Sequence, residues 1–195
     1  MEEKNNKIKN DKNKNNKVKI LNTETLNKSI YTSYIRKYFL DKSNNKKEYT
    51  YIKRNKDQKA VVIIPKIKEK NEIILIKQFR IPFEDYFIEF PAGLIEENET
   101  IDEAVKRELL EETGAYGKIK WTSPLVSSTP GLTDELVYFV FVEVENIVEN
   151  NPESSEDIEV IKVDKNKWEE LKKVEKNIQS WVYIFCETYF LRENF

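Results

Sequence analysis

Residues 93–115 read GLIEENETIDEAVKRELLEETGA, a stretch that specifies a helix together with both of its ends. Thr100 suits the N-cap and Glu103 stands three residues on, which is the spacing of a capping box. Asp102 and Glu103 favour the positive end of a helix. Gly114 stands just past the last turn, where a left-handed residue commonly closes a helix. The spacing predicts a helix over 101–113. Ile101, Ala104, Val105 and Leu109 share one of its faces and would dock on a sheet. The other face carries Glu108, Glu111 and Glu112 at i, i+3 and i+4, where side chains are neighbours with Cβ atoms ~5–6 Å apart. Three carboxylates there repel one another, and they sit toward the negative end of the helix. Arg107, four residues before Glu111, can neutralise one of them. A hard divalent cation would compensate the rest; a plain solvated acidic face is the alternative that spacing alone leaves open.

The residues just before the helix favour the cation. Phe90-Pro91-Ala92-Gly93-Leu94 follows a short apolar run. Pro91 blocks strand continuation and Gly93 permits a tight turn, so a main-chain carbonyl can point toward the carboxylates. The chain has only four glycines, Gly93, Gly114, Gly117 and Gly131, and all fall within this part of the sequence.

Composition narrows the chemistry further. There are no histidines and one cysteine, Cys186, among 195 residues. Ser–His–Asp and Cys–His arrangements, histidine bases and His/Cys zinc sites are therefore excluded, as are intrachain disulfides. A reducing cytoplasm is the expected setting. Carboxylates, Lys/Arg, hydroxyls and hard cations remain. The 33 basic and 35 acidic residues nearly cancel, so nothing supports general nucleic-acid binding. No apolar run approaches the ~20 residues of a membrane helix, so no membrane partner is expected. Met1–Lys19 has no apolar centre, and no signal peptide is expected there.

Outward from residues 93–115, the chain divides into three. Residues 1–16 are almost all Lys, Asn and Glu/Asp and are expected to be a disordered tail. Residues 17–57 hold strand-like pieces at Val18–Leu21, Ser29–Leu40 and Glu48–Arg54, a marginal unit by itself that is expected to serve dimerisation. Residues 58–195 form the main domain. Strands are expected at Ala60–Ile64, ended by Pro65, and at Glu72–Phe79, Tyr86–Phe90, Lys118–Ser127, Asp134–Val144 and Ile158–Val163. Helices are expected at Lys165–Lys173 and Ile178–Leu191. Ile178, Trp181, Val182, Phe185 and Tyr189 recur at helical spacing as core, with Cys186 a small buried residue beside them. The sum is a mixed sheet with helices on its faces.

Gly93, Glu99, Arg107, Glu108, Leu109, Glu111, Glu112, Gly114 and Ala115 fill every fixed position of the pattern G-x5-E-x7-R-E-U-x-E-E-x-G-U, with U apolar. In this the chain resembles the Nudix hydrolase family. The resemblance implies a Nudix-type α/β/α sandwich with a mixed sheet, here preceded by an N-terminal antiparallel β segment. It implies a Mg²⁺- or Mn²⁺-dependent enzyme that hydrolyses a nucleoside diphosphate linked to another group. By position, Glu108 and Glu112 are implied metal ligands, Glu111 a ligand or its neighbour, and the Ala92 carbonyl a further ligand. Glu99 and Arg107 are implied braces of the loop and helix.

Three further features resemble the ADP-ribose pyrophosphatase branch of that family. They are Gln78-Phe79-Arg80, Glu89-Phe90-Pro91-Ala92-Gly93, and Pro130, sixteen residues after Gly114. The branch implies Arg80, Glu135 and Pro130 as substrate-binding residues, with Arg80 facing the pyrophosphate. It also implies a catalytic or metal-binding glutamate in the loop before the last strand. Glu156 aligns best, Glu153 is the runner-up, and Glu111 is the third candidate for catalysis; Ser154 and Ser155 stand where some relatives carry acids. The implied reaction converts ADP-ribose to AMP and ribose 5-phosphate in a cytoplasmic homodimer. Another nucleoside diphosphate sugar or dinucleotide, or a non-catalytic nucleotide-sugar sensor, are the alternatives.

Overall fold

The computed structural model describes residues 18–148 and 157–191. The expected tail at 1–16, and the loop residues Glu153 and Glu156, lie outside the described residues. The chain forms two compact units.

The first unit comprises residues up to Asn55 together with Thr129–Asp134. Its antiparallel sheet has the order β1 (Lys19–Lys28), β2 (Thr32–Leu40), β3 (Lys46–Arg54). β1 runs well beyond the expected Val18–Leu21. Its later residues are polar and mostly exposed, but they pair with β2 as far as Lys28 against Ser33. Backbone pairing therefore holds a strand that no apolar pattern marks. Asp41 organises the second turn, accepting the Ser43 and Asn45 N–H groups at 2.8 and 2.9 Å. Residues 129–134 lie along β3: Ile52 N–H donates to the Leu132 carbonyl at 2.9 Å, Arg54 N–H to Asp134 Oδ1 at 3.1 Å, and the Tyr49 hydroxyl to the Gly131 carbonyl.

The second unit holds an eight-stranded sheet. Its strands are β4 (Ala60–Ile67), β5 (Ile73–Arg80), β6 (Asp85–Glu89), β7 (Ala92–Leu94), β8 (Ala115–Thr122), β9 (Val126–Ser127), β10 (Leu136–Ile147) and β11 (Ile158–Val163). The order is β11-β5-β4-β10-β8, with β6 beside β5, β7 beside β4 and β9 beside β10. β4 and β10 are parallel and the other pairs antiparallel, so the sheet is mixed. The helices are α1 (Ile101–Thr113), α2 (Lys165–Val174) and α3 (Ser180–Leu191). Among the described residues no helix is long and apolar enough to cross a membrane.

Pro65 does not end β4. The Ile63 N–H donates to the Pro91 carbonyl and the Ile67 N–H to the Glu72 carbonyl. Pro65 lies between them with the same strand parity, so its missing N–H falls on that interrupted side and the parallel ladder with β10 continues, Pro65 opposite Val142. α3 starts at Ser180, because Ile178 bridges to Ile88 at the edge of β6 instead.

Side-chain alternation along the strands makes two cores. Val62, Ile64, Ile73, Leu75, Ile88 and Phe90 pack on one face with Trp168 and Leu171 of α2 and Val182, Cys186 and Phe190 of α3. Val61, Ile63, Ile74, Val140, Val142 and Val144 pack on the other with Ala104, Val105 and Leu109 of α1. The layering is α/β/α. Cys186 is fully buried, and that burial pushes its thiol up to about 12.

Candidate active site

Both caps of α1 close as their sequence requires. The Glu103 N–H donates to Thr100 Oγ1 at 3.2 Å, and the Thr100 N–H donates to Glu103 Oε2 at 2.8 Å. Gly114 adopts φ 66° and its N–H donates to the Leu110 carbonyl at 2.9 Å. The helix is thus fixed at both ends, and its apolar residues clamp it to the sheet. The polar face is held just as firmly.

Arg107 is the hub of that face. Its Nε and Nη2 donate to Glu99 Oε1 and Oε2 at 2.9 and 3.0 Å, a bidentate pair. Nη1 donates to Glu108 Oε1 at 2.8 Å and to Glu111 Oε2 at 3.3 Å, while Nη2 also reaches the Leu94 carbonyl at 3.0 Å. One guanidinium therefore ties the 94–99 segment, through Leu94 and Glu99, to the Glu108 and Glu111 carboxylates. The hydrogen bonds from Arg107 hold the Glu99 carboxyl below its ordinary range. In return the bonds to Glu99, and then to Glu108, hold the Arg107 proton more tightly than usual. The sequence reading paired Arg107 with Glu111; the shorter contacts are to Glu108 and Glu99.

Glu112 is only 2% exposed, and its Oε2 accepts the Ala92 N–H at 3.0 Å. This bond joins the far end of the carboxylate row to β7. Gly93, the next residue, lies in the strand rather than in a tight turn. Its glycine identity has another cause: a Cβ there would come within 1.8 Å of Glu108 Oε1 and 1.9 Å of Glu108 Cδ. The backbone at 93 and the Glu108 carboxylate occupy adjoining space that admits no side chain.

Among the described residues, no three acidic side chains converge on one point as a ready metal cage. Glu108 and Glu111 lean on Arg107, and Glu112 leans on Ala92. The donor set nevertheless fits a hard divalent cation. It is all oxygen, Glu112 and Glu108 reach neighbouring points of the Ala92–Gly93 backbone, and the missing Cβ at Gly93 leaves Glu108 room beside it. Ala92, Glu108, Glu111 and Glu112 are brought together at one loop–helix junction.

The other expected residues stand as follows. Arg80, at the end of β5, forms a bidentate pair with Glu89: Nε to Oε1 at 2.8 Å and Nη2 to Oε2 at 2.5 Å. Glu135 Oε2 accepts the Ser128 hydroxyl at 3.0 Å, closing the neck from which residues 129–134 depart. Pro130 belongs to the first unit. Glu153 and Glu156 lie outside the described residues. On either side of them the chain is anchored. The Val148 N–H donates to the Gly114 carbonyl at 2.8 Å, just past α1, and Asp157 accepts the Tyr86 hydroxyl. Glu89 is the residue to which sequence reasoning gave no role. Its signal was burial of a carboxylate next to an apolar strand end, which only the fold exposes.

Residues 56–184 match the family model described as NUDIX domain. The chain is 43% identical over 117 residues to the ADP-ribose pyrophosphatase of Saccharomyces cerevisiae, covering 56% of this chain and 51% of that protein. It is 31% identical over 160 residues to the ADP-sugar pyrophosphatase of Mus musculus, covering 75% and 73% respectively. The chain thus spans about half the length of the yeast relative and nearly three quarters of the mouse one. A solved structure described as "Crystal structure of ADP compounds hydrolase" superposes with a TM-score of 0.71 at 20% identity, covering 90% of this chain and 95% of that one. At that identity the likeness speaks for the fold.

Proposed function

Because the chain belongs to the NUDIX family, we propose that it hydrolyses the pyrophosphate bond of ADP-ribose, giving AMP and ribose 5-phosphate. The observation that carries the reading is the Arg107 hub with its carboxylates on α1, on which Glu112 also binds the Ala92 N–H. The name of the yeast relative supports ADP-ribose as the substrate. The mouse name also favours a second reading, a wider set of ADP-sugars.

Glu108, Glu112 and the Ala92 carbonyl would hold Mg²⁺ or Mn²⁺, with Glu111 as ligand or neighbour. Such an ion, when bound, offsets pyrophosphate charge and brings the pKa of a water toward neutrality. The protein's own part is positional. Arg107 holds the Glu99 carboxyl below its ordinary range and ties it to Glu108, and α1 is fixed by its caps. Water attacks one phosphorus in line as the bridging P–O bond breaks, and the bridging oxygen leaves on the other phosphate. The proton released passes to a carboxylate, for which Glu156, Glu153 and Glu111 are the candidates. Arg80 supplies positive charge for the phosphates, and Glu135 is a further substrate contact. A cytoplasmic homodimer, assembled through residues 17–57, is part of this proposal.

The test is hydrolysis of ADP-ribose, ADP-glucose, a diadenosine polyphosphate and a nucleoside triphosphate, with Mg²⁺ and with EDTA. ADP-ribose cleavage that requires metal supports the reading. Preference for another compound replaces the substrate. Binding of ADP-ribose without turnover of any compound makes the chain a sensor.

A further inference from the structure

Strand parity places Arg80 and Glu89 on the carboxylate side of the sheet. On β5, Ile73 and Leu75 point into the core under α2 and α3, and Ile74 into the core under α1. By alternation Ile76, Gln78 and Arg80 share the α1 face. On β6 and just past it, Ile88 and Phe90 lie in the α2–α3 core, so Glu89 between them also faces α1. Glu89 lies opposite Ile76 in the β5–β6 register and only three residues before Ala92, whose N–H binds Glu112. The Arg80–Glu89 pair therefore sits on the same face as the helix that carries Glu108 and Glu112.

The two partners are unequal. The Glu89 side chain is 7% exposed and that of Arg80 41%. A carboxylate so buried requires a charged partner, and both its oxygens are engaged by Arg80 Nε and Nη2. The guanidinium is planar, and two parallel bonds along one edge fix both its position and its plane. Glu89 is thus a buried base plate beneath a half-exposed cation. An arginine already ordered in this way gives up less side-chain freedom when an anion binds.

We propose that Glu89 is a positioning residue, which holds the Arg80 guanidinium in place to receive an anionic phosphate group of the substrate. The proposal rests on the pyrophosphohydrolase reading for the identity of that anion. Glu89 acts through Arg80 and touches no reacting atom, so its loss should weaken substrate binding more than turnover.

The experiment compares wild type, Glu89→Gln, Arg80→Ala and the double variant. Steady-state hydrolysis of ADP-ribose with Mg²⁺ is measured beside calorimetric binding of ADP. Glu89→Gln should raise KM about tenfold while changing kcat less than about threefold, and should weaken ADP binding to a similar degree. In the Arg80→Ala background, Glu89→Gln should have no further effect on either. A fall in kcat with KM unchanged, an additive effect in the double variant, or no effect at all overturns the proposal. If Glu89→Gln fails to fold, Glu89→Asp decides: it keeps the charge one methylene short, and its KM should rise by a smaller factor with kcat kept. If wild type binds ADP but does not hydrolyse ADP-ribose, the substrate reading fails and the ADP affinities still decide the role of Glu89. If ADP does not bind at all, both fall.

Discussion

On the α2–α3 face of the sheet, Phe90, Trp168, Val182 and Phe190 are buried against one another, and charge stays at the rim, where Lys172 bridges Glu169 and Glu187 at 2.8 Å each. On the α1 face, Ala104, Val105 and Leu109 form an equally buried base. The next layer there is charged: Arg107 with Glu99, Glu108 and Glu111, Glu112 on Ala92, and Arg80 on Glu89. Both faces bury apolar surface and both contribute to folding through it. Only the α1 face invests its second layer in mutually repelling carboxylates, which stability alone does not require. Charge-removing substitutions on that face should therefore cost activity, and truncations on the other face should cost stability.

The sharpest test of this division is Glu112→Gln. Glutamine keeps an acceptor for the Ala92 N–H but loses the anion, so the fold should persist while kcat falls about 10³-fold, several kcal/mol of transition-state stabilisation. Hydrolysis rates beside a thermal melt read both quantities. A kcat within threefold of wild type would break the comparison at its centre. The mirror experiment is Trp168→Ala. Trp168 is 1% exposed and its Nε1 donates to Glu187 at 3.0 Å. Its truncation should destabilise by about 3–5 kcal/mol, seen in denaturant unfolding, with kcat per folded molecule unchanged.

Gly93→Ala probes the seam between backbone and charge. The new methyl would overlap the Glu108 carboxylate, which is the mobile end of a side chain and can swing aside. Folding should suffer little, but Glu108 would leave its place under Arg107. A loss of about 10²-fold in kcat, with the melting temperature nearly unchanged, is expected from misplacing one ligand. Unaltered kcat would show that Glu108 works from another position.

These residues also show what a sequence can and cannot reveal. α1 was legible to its last residue because a capping box and a C′ glycine are local signals. The four fixed acidic and basic positions along it, Arg107, Glu108, Glu111 and Glu112, were legible for the same reason, their spacing being helical. Pro65 misled because proline disrupts a strand only on the side its N–H would serve, and which side that is depends on β10 and Pro91, distant in sequence. β1 was seen only in part, since its polar length is held by backbone pairing with β2. Gly93 was flagged for the wrong reason, a turn, when the cause is a carboxylate fifteen residues further on. Glu89 was visible only as the first residue of the Glu89–Gly93 motif, with no role attached; the role proposed for it depends on parity across two strands and on burial.

The smallest expected effect concerns Glu99, and it separates bracing from catalysis within the charged face. Glu99 touches Arg107 through both oxygens and takes the Glu96 N–H at 2.9 Å. These bonds lower its folded pKa beneath the ordinary 4.5, Arg107 contributing most. A carboxyl with a depressed folded pKa contributes stability that is fully present above its unfolded pKa and is lost as pH falls through the folded one. Wild type should therefore lose stability progressively below about pH 4.5, and Glu99→Gln should lose less over the same interval, starting roughly 1 kcal/mol lower at pH 7. Denaturant unfolding from pH 7 to pH 3 reads that slope directly. If Glu99 is a brace, kcat at pH 7 should fall only a few-fold, far less than for Glu112→Gln. A loss as large as that of Glu112→Gln would place Glu99 among the groups that act on the substrate, and the charged face would then be one catalytic network rather than a row of ligands held by a hub.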